Sequence, residues 1–190
     1  MTVSALTKRR QALTVALIFV GFICIDQAVK VWVKTHMALH ESIRVTDWFY
    51  ITFIENNGMA FGMEFFDKIF LTGFRILATI GVGYYISRLI RRGVSWGFLI
   101  CLAFIMTGAA GNIIDCLFYG LIWDYAPFMF GKVVDMFYFP LIHNSMGDVI
   151  FFSPVFNFAD SCVTVGAFYL ILFQWKFFAA DDKKTDDKAA

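Results

Sequence analysis

The run VSWGFLICLAFIMTGAAGNIID fills positions 94–115, and it carries no charged side chain until its last residue, Asp115. A membrane span needs roughly 20 predominantly apolar residues, so this stretch reads as one that ends on a carboxylate and an amide, Asn112. Three other windows have the same length and character: Ala12–Val33, Ile69–Leu89 and Phe158–Phe178. The whole chain agrees with them. Fifty-nine per cent of the 190 residues are hydrophobic and 16% are charged, against roughly 25% charged in ordinary soluble domains. Mean hydropathy is +0.69. With 24 Phe and 5 Trp, aromatic rings are available for lipid contact and interfacial belts. The expected fold class is an all-α membrane protein with four transmembrane helices. Disorder, collagen-like repeats and solenoids are excluded, and a net charge of +1 gives no electrostatic basis for nucleic-acid binding.

Basic residues orient the spans. With both termini inside, the inner side holds Lys8, Arg9, Arg10, Arg88, Arg91, Arg92, Lys176, Lys183, Lys184 and Lys188, whereas Lys34, Arg44, Lys68 and Lys132 fall on the outer side. The basic start before Ala12 resembles that of a signal peptide, but the apolar run is too long and lacks a small-x-small cleavage site, so it reads as a retained span. Residues 1–180 are then a single polytopic domain, and 181–190 a charged, disordered cytoplasmic tail. Two aromatic-rich outer loops remain, about 34–68 and 116–157, read as non-helical. Within the first, Trp48–Ile54 is β-branched and aromatic and suits short strands.

Ionisable residues inside spans cost about 2.5–3.5 kcal/mol each on insertion scales and mark functional sites. Asp26 and Lys30 lie near the outer end of the first span, Asn112 and Asp115 close the third, and Asn157 and Asp160 open the fourth. Three separated segments therefore bring carboxylates and amides to one depth near the outer face. Asp26 and Lys30 are i,i+4 neighbours that either neutralise each other or hold a site in shape; Asp115 either caps its helix or belongs to the site. Arg75 can reach headgroups or the site. His36, His40 and His143 form no metal-spaced cluster, and no metal site is expected. Cys24, Cys101, Cys116 and Cys162 contain no Cys-x-x-Cys pair and read as small packing residues, with a Cys116–Cys162 disulfide as the minor alternative. No serine-hydrolase elbow, zinc-protease motif or phosphate loop occurs. What remains is aspartate. Two neighbouring carboxyls share a proton because both cannot ionise cheaply, so one can activate water while the other polarises a carbonyl.

Five blocks in order resemble those of lipoprotein signal peptidase (signal peptidase II), the bacterial membrane aspartyl protease family. They are Asp26-Gln27-Ala28-Val29-Lys30, Asn56-Asn57-Gly58-Met59-Ala60-Phe61-Gly62, Gly108 to Asp115, Val133-Val134-Asp135, and Phe156-Asn157-Phe158-Ala159-Asp160-Ser161. The resemblance implies a four-helix bundle with a small extracytoplasmic β-sheet cradle, in the bacterial cytoplasmic (inner) membrane. It implies an endopeptidase that cuts diacylglyceryl-modified prolipoproteins before the lipidated cysteine. Asp135 and Asp160 become the catalytic dyad, with Asp26, Lys30, Asn56, Gly58, Asn112, Asp115, Asn157 and Ala159 binding or supporting. No cofactor is implied. The expected partners are lipid-modified prolipoproteins and membrane lipids, and globomycin-type peptides are the expected inhibitors; the expected state is a monomer.

Three features depart from the family pattern. Cys116 stands where Arg usually follows the Asp, removing a candidate substrate contact, and Met59 replaces a small Ala. Asp124 keeps the usual nine-residue spacing from Asp115, whereas Asp135 lies twenty positions on. Asp135 is preferred because Gly131-Lys132-Val133-Val134-Asp135 carries the Gly-x-Val-Val-Asp pattern, which requires an insertion of eleven residues. The competing readings are a small proton- or ion-coupled membrane transporter subunit, for which the internal repeats of such folds are missing, and a scaffold, which leaves Asp135 and Asp160 without a role.

Overall fold

The computed structural model describes residues 4–57, 65–143, 149–151 and 154–173. Helix α1 runs Ala5–His36, α2 Phe65–Arg92 and α3 Trp96–Ile114. Ser4 starts α1 by accepting the Thr7 N–H at 3.2 Å, as an N-cap should. At the other end of the first helical hairpin, Gly93 adopts φ 72° just after the basic turn Arg91–Arg92, the left-handed stop that glycine supplies cheaply.

Among the described residues, three helices are long and apolar enough to cross a membrane: Ala5–His36, Lys68–Arg92 and the continuous stretch Trp96–Ile122. Their outward faces are greasy. Phe70, Phe74, Leu77, Ile80 and Tyr84 form an exposed stripe along α2, with Phe70 72% exposed. A stripe at helical spacing with nothing of the protein over it suits lipid, not water. The last helix, α5 (Phe158–Phe173), is apolar and described over 16 residues; the expected continuation to 178 and the tail 181–190 lie outside the described residues.

The helices α1 and α2 contain the first two expected spans and run beyond them at both ends. One expectation is corrected: the second outer loop does not begin non-helically at Cys116. A π turn, Asp115–Tyr119, and a short helix α4, Gly120–Ile122, carry α3 onward. The wider turn coincides with a buried, ion-paired Asp115 side chain, and π turns of this kind recur at functional positions. The minor alternative of a Cys116–Cys162 disulfide is also set aside, since both thiols are free.

The label all-α omits the sheet that the same expectation added. Strands β1 (Ser42–Arg44), β2 (Tyr50–Asn56), β3 (Val133–Tyr138) and β6 (Val155–Phe156) form an antiparallel sheet in the order β1-β2-β3-β6, and β4 (Ile142–His143) pairs with β5 (Val149–Phe151). The predicted strand at Trp48–Ile54 thus appears as β2, shifted two residues. Ile54 faces Asp135, Glu55 faces Val134 and Asn56 faces Val133 across the β2–β3 ladder. The sheet sits on the bundle through Val33 and Met37 of α1, Phe53, Tyr119, Val134 and Met136, a buried cluster separate from the one between α1, α2 and α3 around Phe98 and Leu99.

Glycine brings α3 against α5. A Cβ at Gly108 would lie 2.2 Å from the Ala159 carbonyl oxygen, and one at Gly111 would lie 2.8 Å from Asp26 Oδ2 and 3.1 Å from Ala159 Cβ. Small residues at such crossings let backbones approach, the usual device inside membranes. Gly108→Ala should therefore lower the melting temperature in detergent, since overpacking costs typically about 1–3 kcal/mol. Gly73→Ala, with nothing within 4 Å of the added carbon, should leave it unchanged or raise it. Equal melting of both variants would show that the helices are not packed this tightly.

Candidate active site

Asp26 and Lys30 lie one turn apart on α1, and their side chains pair at 3.0 Å. The Lys30 ammonium, 0% exposed, also meets Asp115 Oδ2 at 2.8 Å and donates to Asn112 Oδ1 at 2.8 Å. An ammonium has three protons, and here each has an acceptor. Two carboxylates against one cation leave negative charge in excess. Gln27 absorbs part of it: its Nε2 donates to Asp115 Oδ1 at 2.9 Å and Asp26 Oδ2 at 3.1 Å. The Tyr119 hydroxyl donates to Gln27 Oε1 at 3.1 Å and so fixes which way the amide points. Neither Gln27 nor Tyr119 was expected from the motifs. The signal available was another polar side chain beside Asp26 at the same depth.

From this knot the polar chain reaches the other elements. Asp26 Oδ1 accepts the Ala159 N–H at 2.9 Å, seating the first turn of α5. Asp115 Oδ2 accepts the Val134 N–H at 3.3 Å, seating β3. Asn112 turns its Nδ2 to Asp160 Oδ1 at 2.8 Å while its Oδ1, besides taking Lys30, accepts from Asn157 Nδ2 at 3.1 Å.

The block Asn157-Phe158-Ala159-Asp160 has a local explanation. Asn157 precedes the first residue of α5; its Oδ1 accepts the Asp160 N–H at 2.9 Å, and the Asp160 Oδ2 accepts the Asn157 N–H at 3.2 Å. This is a reciprocal capping box, with Asn and Asp in place of the commoner Ser and Glu. It fixes Asp160 at a helix N-terminus, where the dipole favours negative charge. The same Asn157 donates its Nδ2 to Asp135 Oδ1 at 2.6 Å.

Asp135, on β3, is 3% exposed and takes a longer bond of 3.4 Å from Asn56 Nδ2. Burial pushes its carboxyl up, the charge of Asp160 pushes the same way, and the donors Asn157 and Asn56 with Lys30 only partly offset them, so it titrates at about 7. Asn157 is bonded to both Asp135 and Asp160, and a second carboxyl so placed is the condition for one that keeps its proton near neutrality.

The extra residues between Asp115 and Asp135 leave and return at one point. Gly131 N–H donates to the Cys116 carbonyl at 2.9 Å, and a Cβ at Gly131 would sit 2.0 Å from the Asp115 carbonyl oxygen. Glycine alone permits that closure, and it delivers β3 to the site after the excursion. Asp124 lies in the excursion, exposed, with φ 53°. Gly58 and Met59 lie outside the described residues. His36 stacks on Trp32, His40 sits in a left-handed turn, and neither approaches the cluster. Among the described residues no group of three or more His, Cys, Asp or Glu is placed to hold a metal ion.

The family described as signal peptidase (SPase) II matches residues 18–176 of this chain. A lipoprotein signal peptidase of Porphyromonas gingivalis is 41% identical over 194 aligned positions, covering 89% of this chain and 86% of that relative. One of Amoebophilus asiaticus is 35% identical over 175 positions, covering 79% and 72%. A bacterial membrane enzyme structure solved by the in meso method at 1.9 Å superposes with a TM-score of 0.66 at 26% identity, covering 86% of this chain and 93% of that one.

Charge arithmetic at Lys30 makes a sharp prediction. Lys30→Ala leaves two buried carboxylates without their cation and should cost about 3–5 kcal/mol, whereas Asp26→Asn keeps the Lys30–Asp115 pair and should cost clearly less. The double variant should recover part of the loss. Thermal unfolding in detergent measures all three; equal destabilisation by the two single variants would show that the ammonium is not the shared partner.

Proposed function

The chain belongs to the signal peptidase II family, and on that premise we propose that Asp135 and Asp160 are its catalytic dyad. The protein is a protease that removes signal peptides from lipoproteins; the transporter alternative is not favoured. The observation that carries the residue assignment is the double grip of Asn157, whose side chain holds Asp135 and whose main chain holds Asp160.

The mechanism follows from the different surroundings of the two carboxyls. Asp160 accepts N–H donors from Asn112 and Asn157 at a helix N-terminus, so it is the general base that takes a proton from water. Asp135 retains its proton up to about pH 7 and donates it to the scissile carbonyl oxygen as the water oxygen attacks the carbon. As the C–N bond of the resulting tetrahedral diol breaks, Asp160 passes its proton to the departing amine nitrogen and one diol hydroxyl gives its proton to Asp135, so the pair regains its starting proton count. Cleavage falls before the lipidated cysteine of a diacylglyceryl-modified prolipoprotein, which reaches the dyad sideways from the outer leaflet. Four spans, both termini inside and a site near the outer face of the cytoplasmic membrane are the arrangement that the basic residues support, with the sheet packed at the Val33–Met37 end of α1, away from the end where Gln11 meets Val94 beside the basic turn. The reading takes the protein as a monomer that globomycin-type peptides would inhibit.

Asp135→Asn and Asp160→Asn should each lower cleavage of a lipidated prolipoprotein at least about 100-fold, the low end for general acid–base groups, while the variants stay folded. Asp124→Asn should be near wild type, because asparagine tolerates the left-handed turn it occupies. Activity should decline as pH rises through about 7, where Asp135 loses its proton. Full activity of Asp135→Asn, or a rate that keeps climbing above that pH, would remove Asp135 from the acid role.

A further inference from the structure

A second charged cluster lies behind the sheet, in residues that none of the family's catalytic blocks explains. Lys34, in the last turn of α1, pairs with Glu55 of β2. Its ammonium stands 5.0 Å from the ring centre of Tyr125, 5.4 Å from Trp123 and 5.7 Å from Phe53, distances at which an ammonium is attracted to aromatic faces. The Trp123 Nε1 is buried and has no hydrogen-bond partner among the described residues; it is the face of the indole that meets Lys34. Lys132 reaches Glu55 from the other side at 3.3 Å, and its main-chain N–H donates to the Tyr125 hydroxyl at 2.7 Å. Two cations, from α1 and from the residue just before β3, thus meet on the Glu55 carboxylate of β2, and the inserted segment covers Lys34 with the rings of Trp123 and Tyr125.

The cluster bears on the dyad through the ladder. Ile54 and Asn56 share a face with Asp135, while Glu55 and its partner Val134 turn to the other. The β2–β3 register is broken between Ile51 and Ile54, so the rungs at Ile54, Glu55 and Asn56 form a short end of the ladder of their own beside Asp135. Asn56 reaches Asp135 at 3.4 Å, a length at which a hydrogen bond weakens steeply with further displacement.

We propose that Glu55 is a positioning residue: gripped by Lys34 and Lys132 behind the sheet, it fixes this short end of the ladder and thereby the donation from Asn56 to Asp135. The inference rests on Asp135 being half of the dyad. Burial would push the Glu55 carboxyl up, but the hydrogen bonds and charges of Lys34 and Lys132 outweigh it and hold the group below its ordinary range. It is therefore ionised wherever the enzyme works. The inserted segment acquires a purpose by the same argument, since Trp123 and Tyr125 supply two walls of the cage around Lys34.

The groups facing Asp135 are Asp160 and Asn157 from the start of α5, Lys30 from α1 and Asn56 from β2. Of these, Glu55 controls only Asn56, whose bond favours the charged carboxylate. Glu55→Gln should therefore lower kcat about tenfold, the equivalent of one hydrogen bond, with KM little changed, and should move the high-pH limb of the rate profile upward. Lys34→Gln should do the same, and Lys34→Arg, which keeps a cation over the rings, should restore both. Lys132 is 39% exposed on its side chain, so Lys132→Gln should fold normally and give a smaller change in the same direction. An unmoved limb in Glu55→Gln, whatever its rate, would overturn the proposal, because a merely structural defect lowers the rate without altering proton affinity. Should Glu55→Gln fail to fold, an unmoved limb in Lys132→Gln overturns it equally. Asp135→Asn, assayed beside them, separates the two failures: if it stays active the dyad reading falls, and if it is dead while Glu55→Gln is wild type only the positioning role falls.

Discussion

The polar groups that hold the proposed dyad are arranged around one fully buried ammonium, that of Lys30. A lysine in apolar surroundings is tolerated only when charge and hydrogen bonds replace its hydration. Lys30 obtains them from Asp26 on its own helix and from Asp115 and Asn112 on α3. Each acceptor then uses its remaining capacity elsewhere. Asp26 receives the first turn of α5, Asp115 receives the backbone of β3, and Asn112 receives Asn157 and reaches Asp160. The two proposed catalytic carboxyls come from elements that are not neighbours in the chain, and this network gives both a common origin.

Close packing makes the network possible. The carboxylate of Asp26 passes between α1 and α5 only because Gly111 presents no side chain there, and α3 approaches Ala159 because Gly108 presents none. The glycine-rich block before Asn112 is thus part of the electrostatic design as well as of helix packing. The inserted segment obeys the same economy. It departs from Cys116, returns at Gly131 against the Asp115 carbonyl, and leaves Asp135 within reach of Asn157 despite a spacing of twenty residues from Asp115.

Much of this was legible from residues alone. The apolar runs announced the helices, since span length and charge depletion are dictated by the bilayer and need no tertiary knowledge. The i,i+4 relation of Asp26 and Lys30 is a property of one helix and could be read directly. The gathering of Asn112, Asp115, Asn157 and Asp160 at one depth followed from counting along spans. The partners were harder. Nothing local tells that Asp115 shares Lys30 with Asp26, that Gln27 joins the two carboxylates, or that Asn157 caps α5 while holding Asp135, because these depend on crossings set by side-chain volume at distant glycines. The helical continuation through Cys116–Ile122 escaped for a related reason: a π turn leaves no periodicity of its own in so short a stretch. Lys34 and Lys132 entered the sequence reading only as outer basic residues and Glu55 lies in no motif; the fold of the sheet onto α1 brings the three together.

The central claim is that the buried Asp135 carboxyl holds a proton at neutral pH beside Asp160, inside a frame organised by Lys30. Infrared difference spectroscopy of the protein in lipid, with pH stepped across neutrality, observes that proton directly through the stretching band of a protonated carboxyl. The account predicts a band that titrates away near pH 7 and is missing from Asp135→Asn. A spectrum in which Asp135→Asn leaves every titrating carboxyl band of the wild type in place would contradict it.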